Sequence, residues 1–120
     1  MRILITGAGG FIGRRAVQYM AQNTGLKVKA MPGRTGPETF NEKKGIESVP
    51  CREIHADTVW DDALAGADVV LHLAARAHVR EEPMADALTA YRKVNAEGAL
   101  NLGKQAAQAG VKRFVFISSI

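Results

Sequence analysis

The stretch that most restricts this chain begins at its third residue. Ile3-Leu4-Ile5-Thr6-Gly7-Ala8-Gly9-Gly10-Phe11-Ile12-Gly13 carries an apolar run directly into four glycines and then into Phe11 to Gln22, where Ile12, Ala16, Tyr19 and Met20 share one helical face. A short strand, a tight glycine turn and a helix start form a βα unit, and a strand this apolar is buried on both faces, as in a parallel sheet. The helix start is an anion site, because its first N–H groups have no intrahelical partner and the helix dipole points the same way. Gly7, Gly10 and Gly13 give G-x-x-G-x-x-G; the commoner G-x-G-x-x-G is not satisfied from Gly7, since position 12 is Ile. No Lys followed by Ser or Thr closes the loop, which argues against a nucleoside triphosphate loop. A strand before and an amphipathic helix after favour a dinucleotide pyrophosphate over a purely structural glycine turn.

The rest of the chain repeats the alternation. Further β-type runs are Leu26 to Met31, Asp68 to Leu73 and Arg113 to Ser118, with a weaker one around Cys51 to Ala56. Asp61 and Asp62 open a short turn of helix before Gly66. From Met84 to Ala109 a long helix places Ala87, Tyr91, Val94, Gly98, Leu102 and Ala106 at three- and four-residue steps and stops at Gly110, a good C′ residue. Pro32 to Pro50, rich in Gly, Pro, Lys and Glu, reads as one long mobile loop. At 120 residues, 47% hydrophobic and 23% charged, the chain reads as one globular domain.

Composition narrows the partners. The net charge of +4 is spread along the chain without a basic block or aromatic interleaving, which suits an anionic small molecule and gives no nucleic-acid partner. No secretory leader and no run of 18 apolar residues is visible, so the expectation is a cytoplasmic protein without a membrane partner. The single cysteine, Cys51, forms no intramolecular disulfide and has no Cys/His set beside it at metal spacing.

Four motifs in order carry a resemblance: Thr6-Gly7-Ala8-Gly9-Gly10-Phe11-Ile12-Gly13, His72-Leu73-Ala74-Ala75, Asn95-Ala96-Glu97-Gly98 and Phe114-Val115-Phe116-Ile117-Ser118-Ser119. Together they resemble the extended short-chain dehydrogenase/reductases, and most of all the NAD-dependent epimerase/dehydratase group with its nucleotide-sugar 4-epimerases of the UDP-glucose type. The resemblance implies a Rossmann-type doubly wound parallel α/β sheet of about five strands in the order 3-2-1-4-5, truncated, with residues 1–120 as the N-terminal, NAD(P)-binding portion. It further implies a nucleotide-sugar substrate and a homodimer for the full-length protein.

The resemblance also implies roles for particular residues. Gly7, Gly10, Phe11, Ile12 and Gly13 would meet the cofactor pyrophosphate, and Leu73, Ala74 and Ala75 would let its ribose and pyrophosphate lie against the backbone. Asp57 would accept a hydrogen bond from the adenine amino group; a helix cap or turn residue ahead of Asp61 is the alternative. Asn95 would brace the active-site neighbourhood, since an amide inside a helix has no propensity reason to be there. Ser119 would be the catalytic hydroxyl that orients the substrate hydroxyl being oxidised. Where an NAD enzyme carries a ribose-binding acid, this sequence reads Met31-Pro32-Gly33-Arg34; Arg34 either holds a 2′-phosphate, making NADP possible beside NAD, or is a solvated loop charge. His72, inside an apolar run, reads as a buried structural histidine. Arg76 and His78 lie beyond the strand end, in a loop facing the ligand side, and His55 has no identifiable partner.

The family's chemistry uses a tyrosinate base with a lysine four residues later. Tyr19 is followed four residues on by Asn23, and Tyr91 by Asn95, so neither tyrosine forms that pair. Residues 1–120 alone are therefore expected to lack epimerase activity, and the final strand is expected to leave an apolar edge that drives association. Two other readings stay open: a non-catalytic NADP-sensing module and a reductase of a small carbonyl substrate.

Overall fold

The computed structural model describes residues 1–33, 45–75 and 84–118. Five parallel strands form one sheet: β1 (Arg2–Thr6), β2 (Lys27–Met31), β3 (Ile46–Ser48), β4 (Val69–His72) and β5 (Arg113–Phe116), in the order β3-β2-β1-β4-β5. The Rossmann-type doubly wound arrangement implied by the motifs is the one observed.

Strand periodicity separates two cores. Ile3 and Ile5 of β1 join Ala8, Val17, Val28 and Ala30 under α1 (Phe11–Asn23). Leu4 points the other way, into a cluster with Met31, Trp60, Leu64, Val70, Leu102 and Ala106. That second face is covered by α2 (Asp61–Leu64) and α4 (Ala99–Gln108). Burying both faces explains why β1 reads as a continuous apolar run. Lys29, only 3% exposed in β2, points into the α2 side, and its ammonium donates to the carbonyls of Asp62 and Ala65, each at 2.9 Å.

Two elements depart from the sequence expectation. The third strand is Ile46–Ser48, inside the stretch expected to be loop, and Cys51 to Ala56 is not a strand. β3 pairs Ile46, Glu47 and Ser48 with Val28, Lys29 and Ala30, and three residues with one apolar side chain are too few to show a period of two. The Cys51–Ala56 backbone is committed elsewhere: the Thr58 hydroxyl donates to Glu53 O at 2.6 Å and accepts from His55 N at 2.9 Å. The long helix is also not uniform. α3 (Met84–Arg92) passes into α4 through a π-helical segment, Lys93–Gly98. Its end is as expected: Gly110 has φ +81°, and Val111 N bonds back to Ala106 O at 3.0 Å.

Candidate functional site

The order of strands reverses between β1 and β4, one connected to the left of the sheet and the other to the right, and their carboxyl ends open a crevice there. Thr6 and His72 are register partners at that edge, so the glycine loop leaving β1 and the Leu73-Ala74-Ala75 segment leaving β4 emerge side by side.

The loop is a tight turn closed by Gly10 N to Gly7 O at 3.1 Å and tied to β2 by Ala8 N to Met31 O at 3.0 Å. The first helical bond of α1 is Arg14 N to Gly10 O, which leaves the N–H groups of Phe11, Ile12 and Gly13 without intrahelical acceptors. Gly10 is the N-cap and supplies no side-chain cap, and the first turn holds no acidic residue. The arrangement therefore presents donors and a positive dipole end to an anion. Phe11 and Ile12 are 87% and 58% exposed at this mouth, apolar surface that a ligand would cover. Arg14 Nε donates to Gly9 O at 2.9 Å, bracing the loop from the helix side.

The three spaced glycines do different work. A Cβ at Gly7, where φ is +66°, would stand 2.7 Å from Ala74 N, and one at Gly13 would overlap Gly7 O and sit 2.8 Å from Ala8 Cα. Both positions are required by the protein's own close packing of loop on helix and strand. At Gly10 the nearest atom, Gly7 O, is 3.4 Å away, an ordinary contact. Gly10 is thus the one of the three at which the protein's own packing leaves room for a side chain, whereas internal packing already accounts for Gly7 and Gly13. The residues present fit a dinucleotide pyrophosphate: unpaired donors, a helix start and an open glycine converge on the crevice.

Thr6 locks the two sides together, a role its sequence position did not suggest. Its hydroxyl accepts from Leu73 N and Ala74 N, both at 3.2 Å, and lies 2.6 Å from His72 Nδ1. A hydroxyl has two acceptor sites and one proton. With both acceptor sites taken, its proton goes to Nδ1, which assigns the proton of neutral His72 to Nε2. His72 is 1% exposed, and burial lowers its pKa from 6.5 to about 4. Phe116 stacks on its ring with centroids 5.7 Å apart. The signal for Thr6 was a lone hydroxyl ending an apolar strand.

The other expected site residues are less concentrated. Asp57 is exposed in a turn nine residues beyond the end of β3, with its N–H donated to His55 Nδ1 at 3.0 Å. His55 therefore has a partner. Asn95 is half-buried within the π-helical segment, a helix distortion that often accompanies function. Arg34, Arg76, His78 and Ser119 lie outside the described residues. Among the described residues, no group of three or more His, Cys, Asp or Glu could hold a metal ion, and no helix is long and apolar enough to cross a membrane.

Comparison with known proteins agrees with this geometry. The family model described as NAD dependent epimerase/dehydratase matches residues 3–120. A UDP-glucose 4-epimerase from Vibrio cholerae is 41% identical over 118 residues, covering 98% of this chain and 34% of that protein. An L-arabinose 1-dehydrogenase (NAD(P)(+)) from Haloferax volcanii is 31% identical over 119 residues, covering 98% of this chain and 41% of that protein. The crystal structure of a Thermus thermophilus UDP-glucose 4-epimerase in complex with NAD superimposes with a TM-score of 0.75 at 29% identity, over 99% of this chain and 38% of that one. The chain thus spans 34% to 41% of the length of these relatives.

Proposed function

The chain belongs to the NAD-dependent epimerase/dehydratase family, and from that premise we propose that residues 1–120 are the NAD-binding part of a nucleotide-sugar epimerase acting on a UDP-hexose at C4. The observation that carries this reading is the joined crevice: the Gly7–Gly10 loop and the free start of α1 on one side, Leu73 to Ala75 on the other, with the Thr6 hydroxyl between them. The similarity to UDP-glucose 4-epimerases supports the substrate class.

In this reading the N–H groups of Phe11, Ile12 and Gly13 receive the pyrophosphate, and Gly10 leaves the space for it. Asp57 accepts from the adenine amino group, and Asn95 braces the active-site neighbourhood beside the cofactor. When bound, the nicotinamide supplies the hydride acceptor and donor. The Ser119 hydroxyl would orient the sugar C4 hydroxyl, which gives up its proton while the C4 carbon gives up the hydride. The proton-accepting base is neither Tyr19 nor Tyr91, because each has an asparagine where a lysine is needed. Residues 1–120 therefore bind cofactor without turning over substrate.

Calorimetric titration with NAD, paired with a coupled assay for interconversion of UDP-glucose and UDP-galactose, tests this. Binding without turnover is the expected result for the 120-residue chain; absence of NAD binding overturns the reading. A second reading, reduction of a small carbonyl substrate, is favoured by the similarity to L-arabinose 1-dehydrogenase and predicts NAD(P)-linked turnover of a free sugar in place of a nucleotide sugar by the protein that carries this domain.

A further inference from the structure

Residues 49–60 form no regular secondary structure between β3 and α2, yet their backbone is held firmly by two side-chain amides of α4. Asn101 Nδ2 donates to His55 O at 3.1 Å and to Thr58 O at 2.8 Å. Gln105 Nε2 donates to Thr58 O at 2.7 Å and to Asn101 Oδ1 at 2.8 Å, while Gln105 Oε1 accepts from Trp60 N at 2.9 Å. Every amide N–H of the pair is used, so the orientation of both side chains is fixed by their partners. One turn earlier on the helix, Gly98 lies so close that a Cβ there would stand 2.6 Å from Ile54 Cγ2. The turn is braced within itself as well, by His55 N to the Thr58 hydroxyl and by Asp57 N to His55 Nδ1.

What this bracing presents is an acid. Asp57 is exposed at the tip of the turn, and its carboxylate makes no hydrogen bond or ion pair among the described residues. A surface turn ordinarily samples many conformations, and a carboxylate on it would contribute little to recognition until ordered. Fixing the backbone beforehand removes that cost.

We propose that Asn101 and Gln105 are positioning residues for cofactor recognition: by clamping the His55–Trp60 turn onto α4 they hold Asp57 where its carboxylate meets the adenine amino group. This inference rests on the proposed NAD site and on the adenine contact of Asp57. Neither amide touches the cofactor; both act through the turn.

The test compares NAD with nicotinamide hypoxanthine dinucleotide, in which a carbonyl replaces the adenine amino group, by calorimetric titration of the purified protein. A hydrogen bond to a carboxylate makes the wild type prefer NAD by about tenfold, and Asp57→Ala removes the preference. Asn101→Leu is expected to weaken NAD by about tenfold while leaving the hypoxanthine dinucleotide unchanged, so that the ratio falls toward one. Gln105→Glu keeps the acceptor for Trp60 N and removes the donors to Thr58 O, and it gives the same readout should Asn101→Leu not unfold cooperatively. A ratio left at its wild-type value, or an equal loss of both dinucleotides, overturns the positioning role and leaves the NAD site standing. A wild type without preference overturns the Asp57 contact and this inference with it. A wild type that binds neither dinucleotide overturns the NAD site itself.

Discussion

The Thr6 hydroxyl donates to His72 Nδ1 across 2.6 Å while accepting from Leu73 N and Ala74 N, so a single oxygen joins the last residues of β1 and β4 to the backbone that lines the crevice. The four residues come from segments 66 to 68 positions apart. Their juncture is the wall on which Gly7 rests.

Replacing that hydroxyl separates its roles. Thr6→Val keeps the shape but strands a buried imidazole nitrogen and the Ala74 N–H, while Leu73 N retains the Thr6 carbonyl at 3.3 Å, and it is expected to cost about 1–3 kcal/mol in urea unfolding. Thr6→Ser retains the oxygen and is expected to recover most of this. Thr6→Val indistinguishable from Thr6→Ser would show that the hydroxyl carries none of the stability.

His72 makes stability depend on pH in a known direction. Its folded pKa, lowered by burial to about 4, lies below its unfolded value of 6.5, so the unfolded chain binds the extra proton between these values. Its contribution is therefore fully present above pH 6.5 and is lost as pH falls toward 4, a change of about 3 kcal/mol. Denaturant titrations at several pH values should show this slope, and His72→Asn should flatten it. An unchanged slope in the variant would assign the dependence to other groups.

The glycines predict three distinct outcomes across four variants. Gly7→Ala and Gly13→Ala meet backbone atoms and are expected to destabilise by about 2 kcal/mol or more. Gly10→Ala should stay within about 1 kcal/mol of the wild type, yet lose NAD affinity. Gly103, inside α4 with no atom near its missing Cβ, should gain up to about 1 kcal/mol on change to Ala. Thermal unfolding and NAD titration on the same four variants check both properties.

β5 ends the sheet, and Val115, Phe116 and Ile117 are 37%, 48% and 49% exposed. The 120-residue chain is expected to associate as its concentration rises, by pairing along that edge. Light scattering should show growth in mass that Ile117→Lys suppresses. A wild-type chain that stays monodisperse at high concentration would contradict it.

Much of this was legible beforehand because it is local. The strand–glycine–helix succession of residues 3–22 and the Gly110 stop follow from apolar periodicity and from which backbone angles a residue tolerates. β3 was not legible, since Ile46–Ser48 owes its strand geometry to β2 beside it and not to its own three side chains. The π-helical turn around Asn95 was equally hidden, because helical spacing alone does not distinguish it from an α-helix.

For the site, the sequence determined that a glycine loop would lead into a free helix start at the end of β1, since that requirement lies within one contiguous turn. Only the tertiary structure decided which glycines the protein's own packing requires, that Thr6 binds the two walls, and that Asn101 and Gln105 hold the turn carrying Asp57. The physical reason is that the Gly7–Ala74 approach, the Thr6 juncture and the amide clamp depend on atoms brought within hydrogen-bond or van der Waals distance from segments more than 40 residues apart, a proximity that exists only once the sheet has assembled.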